Sequence, residues 1–397
     1  MTEGFEKAPP EMDRVRRRAL IVGVAGLALC ALPAAINASL REQFFRSYLL
    51  SFVFWIGITL GCFAILMVQH MSGGAWGLVI RRVLESATRT FPLFALLFVP
   101  IILGLHTLYI WARPDEVAAS EALKHKSAYL NISFFIARAA FYFVVWFVVS
   151  RALNKWSLEQ DKTGERALTS KMQNLCGPGL LLYGLTVTFA SIDWVMSLQP
   201  EWFSTIFGIL FMGGQGLSAM AFVIAVIVLL ASRKPMSEVI QAGHLHDLGK
   251  LMLAFLMLWA YFAFSQFLII WSGNLPEEIP WYVRRLQSSW KYVGLALVLL
   301  HFALPFVLLL SRDLKRHTRR LVIVAVLVII MRFVDMIWMI VPEVRSGGFA
   351  IHWMDVAMAF GIGGIWVSVF LQQLGNRPLL PIRDPYIENA FSPAGGH

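Results

Sequence analysis

Read from one end to the other, the chain alternates between long apolar runs and short charged connectors, and the runs recur ten times. They cover residues 19 to 36, 48 to 69, 91 to 111, 130 to 150, 177 to 197, 203 to 231, 249 to 272, 289 to 311, 321 to 341 and 355 to 374. About 20 apolar residues suffice for a helix to cross roughly 30 Å of hydrocarbon. The runs lack the strict alternation of barrel strands, so the pattern predicts an all-α integral membrane protein with ten transmembrane helices. A cluster of Arg14, Arg16, Arg17 and Arg18 precedes the first run as in a signal peptide. No convincing cleavage site follows near Ala35 to Ala38, so the run reads as a retained helix.

Composition agrees with a lipid solvent. Hydrophobic residues make up 58% of the 397 residues and the mean hydropathy is +0.67, against about 45 to 50% apolar residues in soluble domains. Lys and Arg divide unevenly between alternate connectors, 22 on the side of both termini and 8 on the other. By the positive-inside rule both termini face the cytoplasm. The net charge of +10 is then mostly this bias together with attraction to anionic lipid, and no nucleic-acid partner is needed to explain it.

The middle of the chain repeats. Asp193-Trp-Val-Met-Ser-Leu-Gln-Pro200-Glu201 matches Asp335-Met-Ile-Trp-Met-Ile-Val-Pro342-Glu343, each with Pro-Glu seven residues after Asp. His106 and Trp111 match Gln266 and Trp271 at an offset of 160, and Ser150-Arg151 matches Ser311-Arg312 at 161. Because four spans is an even number, the copies point the same way. The expected organisation is a cytoplasmic segment 1 to 18, a ten-helix domain 19 to 374 and a cytoplasmic tail 375 to 397. Within the domain, two tandem four-helix bundles (about 48 to 197 and about 203 to 341) are flanked by one helix at each end. The Pro-rich tail reads as an extended segment that packs on a neighbour or stays mobile.

Ionisable groups inside apolar spans are expensive and mark sites where membrane proteins act. At about 1.5 Å per residue Asp193 lies roughly 24 Å from the cytoplasmic start of its span, and Arg138 about 12 Å from the periplasmic start of its own. Asp335 has a depth similar to Asp193. His106 and Gln266 fall in the outer parts of their spans, and Arg332 and His301 near the middle. The outer half is therefore expected to be ionic and the inner half to offer chiefly hydroxyls such as Tyr183, Thr186 and Thr188, as suits a proton half-channel open to the periplasm. Plainer roles compete. Arg332 and Asp335, three apart on one helix, can neutralise each other. Arg138 needs a partner from another helix, plausibly Asp193, as a static clamp or a relay. His106 and His301 are candidate haem ligands or ordinary core histidines, and His244 and His246 point apart on a helix, which disfavours a metal site. Trp202, Trp281, Trp290 and Trp353 lie where rings anchor helices at interfaces.

Cys30, Cys62 and Cys176 form no C-x-x-C pair, and there is neither a P-loop nor a G-x-G-x-x-G turn. A redox cofactor served by this chain would belong to a partner.

Specific stretches carry a resemblance. Ser-Ile-Asp193-Trp194-Val-Met196-Ser197-Leu-Gln-Pro200-Glu-Trp202-Phe-Ser204-Thr205 resembles the junction of the fifth and sixth helices in the membrane subunits of alternative complex III. His246-Asp247-Leu-Gly249-Lys250, Trp259-Ala-Tyr261, the stretch from Ser265-Gln266 through Trp271-Ser-Gly273-Asn274-Leu-Pro276-Glu277-Glu278, and His301-Phe-Ala-Leu-Pro305 with Ser311-Arg312-Asp313 resemble the smaller of that complex's two related membrane subunits, within the polysulfide-reductase and NrfD-like superfamily. The resemblance implies a cofactor-free membrane subunit of a respiratory complex that oxidises quinol and passes electrons to cytochrome c or a terminal oxidase. The implied partners are a sibling quinol-binding membrane subunit and periplasmic subunits that carry iron-sulfur clusters and haem c. The implied role is non-catalytic, proton conduction plus an assembly surface, and the polar residues read above supply the expected path for it: Asp193, Arg138, His106, Asp335, Arg332, His301 and Gln266. A quinol site of its own near the periplasmic face, with His106 or Asp193 in reach, a pure scaffold and an independent secondary transporter are the alternatives.

Overall fold

The computed structural model describes residues 11 to 232, 236 to 345 and 347 to 387. Ten helices are long and apolar enough to cross a membrane: α1 Glu11–Ile36, α2 Ala38–Ser72, α3 Ala75–Leu103, α4 Ile132–Thr163, α5 Arg166–Leu198, α6 Phe207–Ala231, α7 Ala242–Gly273, α8 Trp290–Leu310, α9 Thr318–Val344 and α10 Trp353–Gly375. With no strand among the described residues, the chain is an all-α multi-pass membrane protein. Residues 1 to 10 and 388 to 397, which hold parts of the two expected terminal segments, lie outside the described residues.

Helix α1 starts and α10 ends on the same face, called proximal below; the other is distal. The most apolar windows of α2 and α6 are 89% and 72% buried, so these two form the axis of the bundle. They cross closely because Gly61 has no side chain: a Cβ there would stand 2.0 Å from the Gln215 carbonyl oxygen. Around the axis one packing pattern occurs twice. In α2 to α5 the first helix lies against the second and fourth, and the fourth against the third; α6 to α9 pack in the same way. Helices α1 and α10 pair with each other outside these quartets, with Gly23 against Gly364 and Gly26 against Gly361.

Three elements depart from the expected spans. Helix α3 begins 16 residues earlier than expected, folding back from α2 through Gly73 (φ 67°) and Gly74 (φ 97°), so Arg81, Arg82 and Glu85 enter the bundle instead of forming a loop. Its distal part breaks into short turns around Pro92, Pro100 and Gly104, where amides or helix propensity are missing. Helices α4 and α5 reach further on the proximal side than the apolar runs do; the 32 residues of α4 amount to about 48 Å. Helix α8 contains a π-helical turn, Leu297–Ala303. Pro305 has no N–H for the carbonyl of His301, and the helix widens to i→i+5 pairing there.

The described part of the tail also differs from expectation. Residues 376 to 387 neither hang free nor wait for a neighbour: Arg377, Leu379, Leu380 and Asp384 are buried against the chain's own proximal end.

Candidate functional site

The Arg138 guanidinium on α4 meets the Asp193 carboxylate on α5 in a two-pronged pair, Nε to Oδ2 at 2.9 Å and Nη2 to Oδ1 at 2.8 Å. The Tyr142 hydroxyl donates to the same Oδ2 at 2.8 Å, and Arg138 Nη1 donates to the Tyr129 carbonyl at 2.9 Å. The guanidinium lies 3.8 Å over the Tyr129 ring. A lone buried cation would be costly, and here each charge is matched by a charge-assisted bond. The partner expected for Arg138 is therefore the one it has.

In the second quartet Arg332 donates to Asp335 on its own helix α9, and Trp259 Nε1 of α7 donates to Asp335 Oδ2 at 3.1 Å. The guanidinium rests on α6, where a Cβ on Gly214 would stand 2.1 Å from Arg332 Cζ. His301 is fully buried with its ring 4.1 Å from that of Trp259, centroid to centroid. Met331 is its backbone neighbour, but neither ring nitrogen makes a hydrogen bond of normal geometry. The two aspartates thus share burial and an arginine, while the arginine comes from a neighbouring helix in one copy and from the same helix in the other.

Gln266 is buried, accepting from Ser204 at 3.1 Å and facing the Tyr282 hydroxyl at 3.5 Å. His106 is a correction: it is exposed, because Leu105 and Leu108 occupy the inward positions of that turn, and its carbonyl accepts from Arg113 Nε at 2.7 Å. His244 caps α7, its Nδ1 accepting from the Gln241 amide at 3.2 Å.

The expected division into an ionic outer half and a hydroxyl-bearing inner half also fails. The proximal end holds the largest ionic cluster of the described residues. Arg81 Nη1 meets Asp384 at 2.6 Å, Arg82 Nη1 meets Glu85 at 2.6 Å while its Nη2 meets Asp161, and Arg377 Nη1 meets Glu85 at 2.8 Å. Ser157 donates to Glu85 at 2.6 Å, and Arg377 also donates to Asn154 at 2.9 Å. Three arginines and three carboxylates balance, which is what makes burial of six charges tolerable. Three of the basic residues that weigh on the positive-inside count are consequently inside the protein.

One helix face links the clusters. Arg138, Tyr142, Trp146, Ser150, Asn154, Ser157 and Asp161 follow one another on α4 at intervals of three or four residues, so they share a stripe. It extends about 35 Å, longer than the roughly 30 Å of hydrocarbon. Its hydrogen bonds run sideways: Trp146 Nε1 to Thr186 on α5 at 2.9 Å, Asn154 Nδ2 to Thr88 on α3 at 3.0 Å. The repeat had drawn attention to the aspartates; this periodicity of polar residues was the sequence signal for the rest.

Two clefts open on the distal face. One of about 460 Å³ is lined by Trp111, Pro114, Val117, Lys124 and Asn131 among others. The other, about 410 Å³, lies between Arg284, Trp290, Glu343 and Arg345. Neither His106 nor Asp193 lines either cleft. Among the described residues no three His, Cys, Asp or Glu side chains converge as a metal site would require.

Compared with the models of known protein families and with curated proteins, the chain matches none. The all-α multi-pass fold thus stands on the coordinates, and the site on its geometry.

Proposed function

We propose that this chain is a membrane subunit of a quinol-oxidising respiratory complex of the alternative complex III type, placed in a bacterial inner membrane with both termini cytoplasmic. Its role is to conduct protons and to hold partner subunits, with no cofactor of its own. The haem c and iron-sulfur groups belong to periplasmic partners and the quinol site to a sibling membrane subunit. The assignment to that complex rests on the resemblance of the Asp193 to Thr205 and His246 to Glu278 stretches.

The observation that carries the proton reading is the buried stripe of α4. Between two ionic clusters it offers hydroxyls at Tyr142, Ser150 and Ser157, an amide at Asn154 and a carboxyl at Asp161, with the Trp146 indole as the one break in the row, across more than the hydrocarbon thickness. Groups that can give or take a proton are the usual content of intramembrane polar rows. At the distal end Asp193, held by Arg138 and Tyr142, is the carboxylate on which a change of charge in a neighbouring subunit would act. Asp335, with Arg332 and His301 beside it, is the corresponding group of the second quartet.

The test is Asp193→Asn in the purified complex, reading protons released per electron during quinol oxidation. A lower ratio with the oxidation rate retained is expected. An unchanged ratio removes Asp193 from the path, and loss of assembly with a normal ratio in the surviving complex makes the pair a clamp.

A further inference from the structure

We propose that residues 376 to 387 form a strap that seals the proximal end of the α4 stripe, an inference that takes from the preceding reading the idea that the stripe conducts protons. The strap lies across the cluster and reaches into it at two places. Arg377 bonds Glu85 and Asn154, and Asp384 bonds Arg81. Between them Leu379 and Leu380 are buried, the backbone at Ile382 faces Asp161, and Arg383 Nη1 donates to the Lys162 carbonyl near the end of α4. Glu85, Ser157 and Asn154 are fully or almost fully buried beneath it.

The distribution of charge indicates that this closure is reversible. To the buried cluster the strap contributes one cation, Arg377, and one anion, Asp384, while Arg383 stays exposed. Without it Arg81, Arg82, Glu85 and Asp161 still balance two against two. Lifting the strap would therefore wet a cluster that stays neutral as a whole, with Arg81 exchanging Asp384 for water, so that opening strands no net charge in the protein. Arg81 would retain Gln69, whose Oε1 accepts from its Nε at 3.1 Å. The strap itself has little backbone structure to lose. Two turn bonds, Asp384 to Pro381 at 3.2 Å and Ile387 to Asp384 at 3.0 Å, are its internal backbone links. Its hold on the bundle is thus two ion-paired side chains and the buried Leu379 and Leu380, with almost no backbone ladder, a short segment of the kind that opens locally without global unfolding.

The seal can be read without reference to proton flow. Ser150 lies on the same stripe one turn beyond Asn154, and its hydroxyl bonds only within its own helix. In membrane vesicles containing the full chain with its native partners, Ser150→Cys is introduced after Cys30, Cys62 and Cys176 are changed to Ser. A small membrane-impermeant methanethiosulfonate is then applied to the proximal face. Labelling of the parent is expected to be slow. Arg377→Gln and Asp384→Asn are each expected to raise the rate about tenfold, as loss of a charge-assisted bond shifts the opening equilibrium. An unchanged rate in both variants, with the protein present in the membrane, overturns the seal. Should Arg377→Gln fail to accumulate, Asp384→Asn decides alone, because it leaves Glu85 with both of its arginines. Proton flux measured in the same vesicles separates the two ideas: faster labelling with unchanged flux keeps the strap and removes the proton path.

Discussion

Arg138 and Asp193, 55 residues apart, face each other with two nitrogens against two oxygens, at 2.9 and 2.8 Å, and tie α4 to α5 inside the distal half of the bundle. The first prediction concerns the energetics of that tie. Removing one partner leaves a buried charge alone, at a cost of about 3 to 5 kcal/mol, whereas replacing both with apolar side chains of similar size is close to neutral. Arg138→Met and Asp193→Leu are each expected to lower thermal stability in detergent, and the double variant to recover most of the loss. Additive losses in the double variant would mean that the two residues act separately.

That pair was legible in the sequence because an arginine in an apolar span must find a carboxylate, and of the two aspartates at similar depth Asp335 already had Arg332 on its own helix. The ten spans were legible for the same kind of reason, since hydrocarbon thickness fixes the length of an apolar run. The proximal cluster was not. Arg81, Arg82 and Glu85 lie together in a charged stretch that reads as a solvated loop, and the groups that neutralise them come from 79, 292 and 303 residues away. Only the folded chain shows that the stretch enters the bundle. His106 failed for the opposite reason, as its depth was readable but the side of the broken α3 end on which it falls was not.

The second prediction follows from that cluster. Glu85 stands between Arg82 and Arg377, so Glu85→Ala leaves two cations facing each other in a water-poor site. A loss of about 3 to 5 kcal/mol is expected, with little correctly folded protein recovered from membranes. Glu85→Ala combined with Arg377→Met is expected to restore part of the yield. Equal yields from the single and double variants would show that Arg377 does not depend on Glu85.

A third prediction uses two helix glycines in opposite surroundings. Gly214→Ala would put a methyl 2.1 Å from Arg332 Cζ, and the guanidinium could give way only by straining its bond to Asp335. A loss of about 1 to 3 kcal/mol is expected from the overpacking. Gly184, with nothing within 4 Å of its added Cβ, is the control: Ala there should be neutral or stabilise by about 0.5 to 1 kcal/mol through helix propensity. Similar melting temperatures for the two variants would place Arg332 elsewhere than against α6.

The last prediction is a pH dependence at the distal start of α10. His352 Nδ1 accepts from the Met354 amide at 3.2 Å, and Asp355 Oδ2 accepts from the His352 amide at 3.0 Å, so the two side chains cap the helix reciprocally. Burial lowers the His352 pKa below 6.5; Asp355 opposes the shift and Arg345 adds to it. A lowered folded-state pKa means that the neutral ring is the form the fold prefers. Its contribution is whole above the unfolded value of 6.5 and is lost as pH falls through the folded value, where protonation removes the acceptor that the Met354 amide uses. Hydrogen exchange at Met354, corrected for intrinsic chemistry, is expected to speed up between about pH 8 and about pH 5. His352→Asn keeps a side-chain acceptor at the cap but has no proton to gain in that range, so its exchange should stay flat. The same acceleration in the Asn variant would assign the effect to another group, and Asp355 would be the first to test.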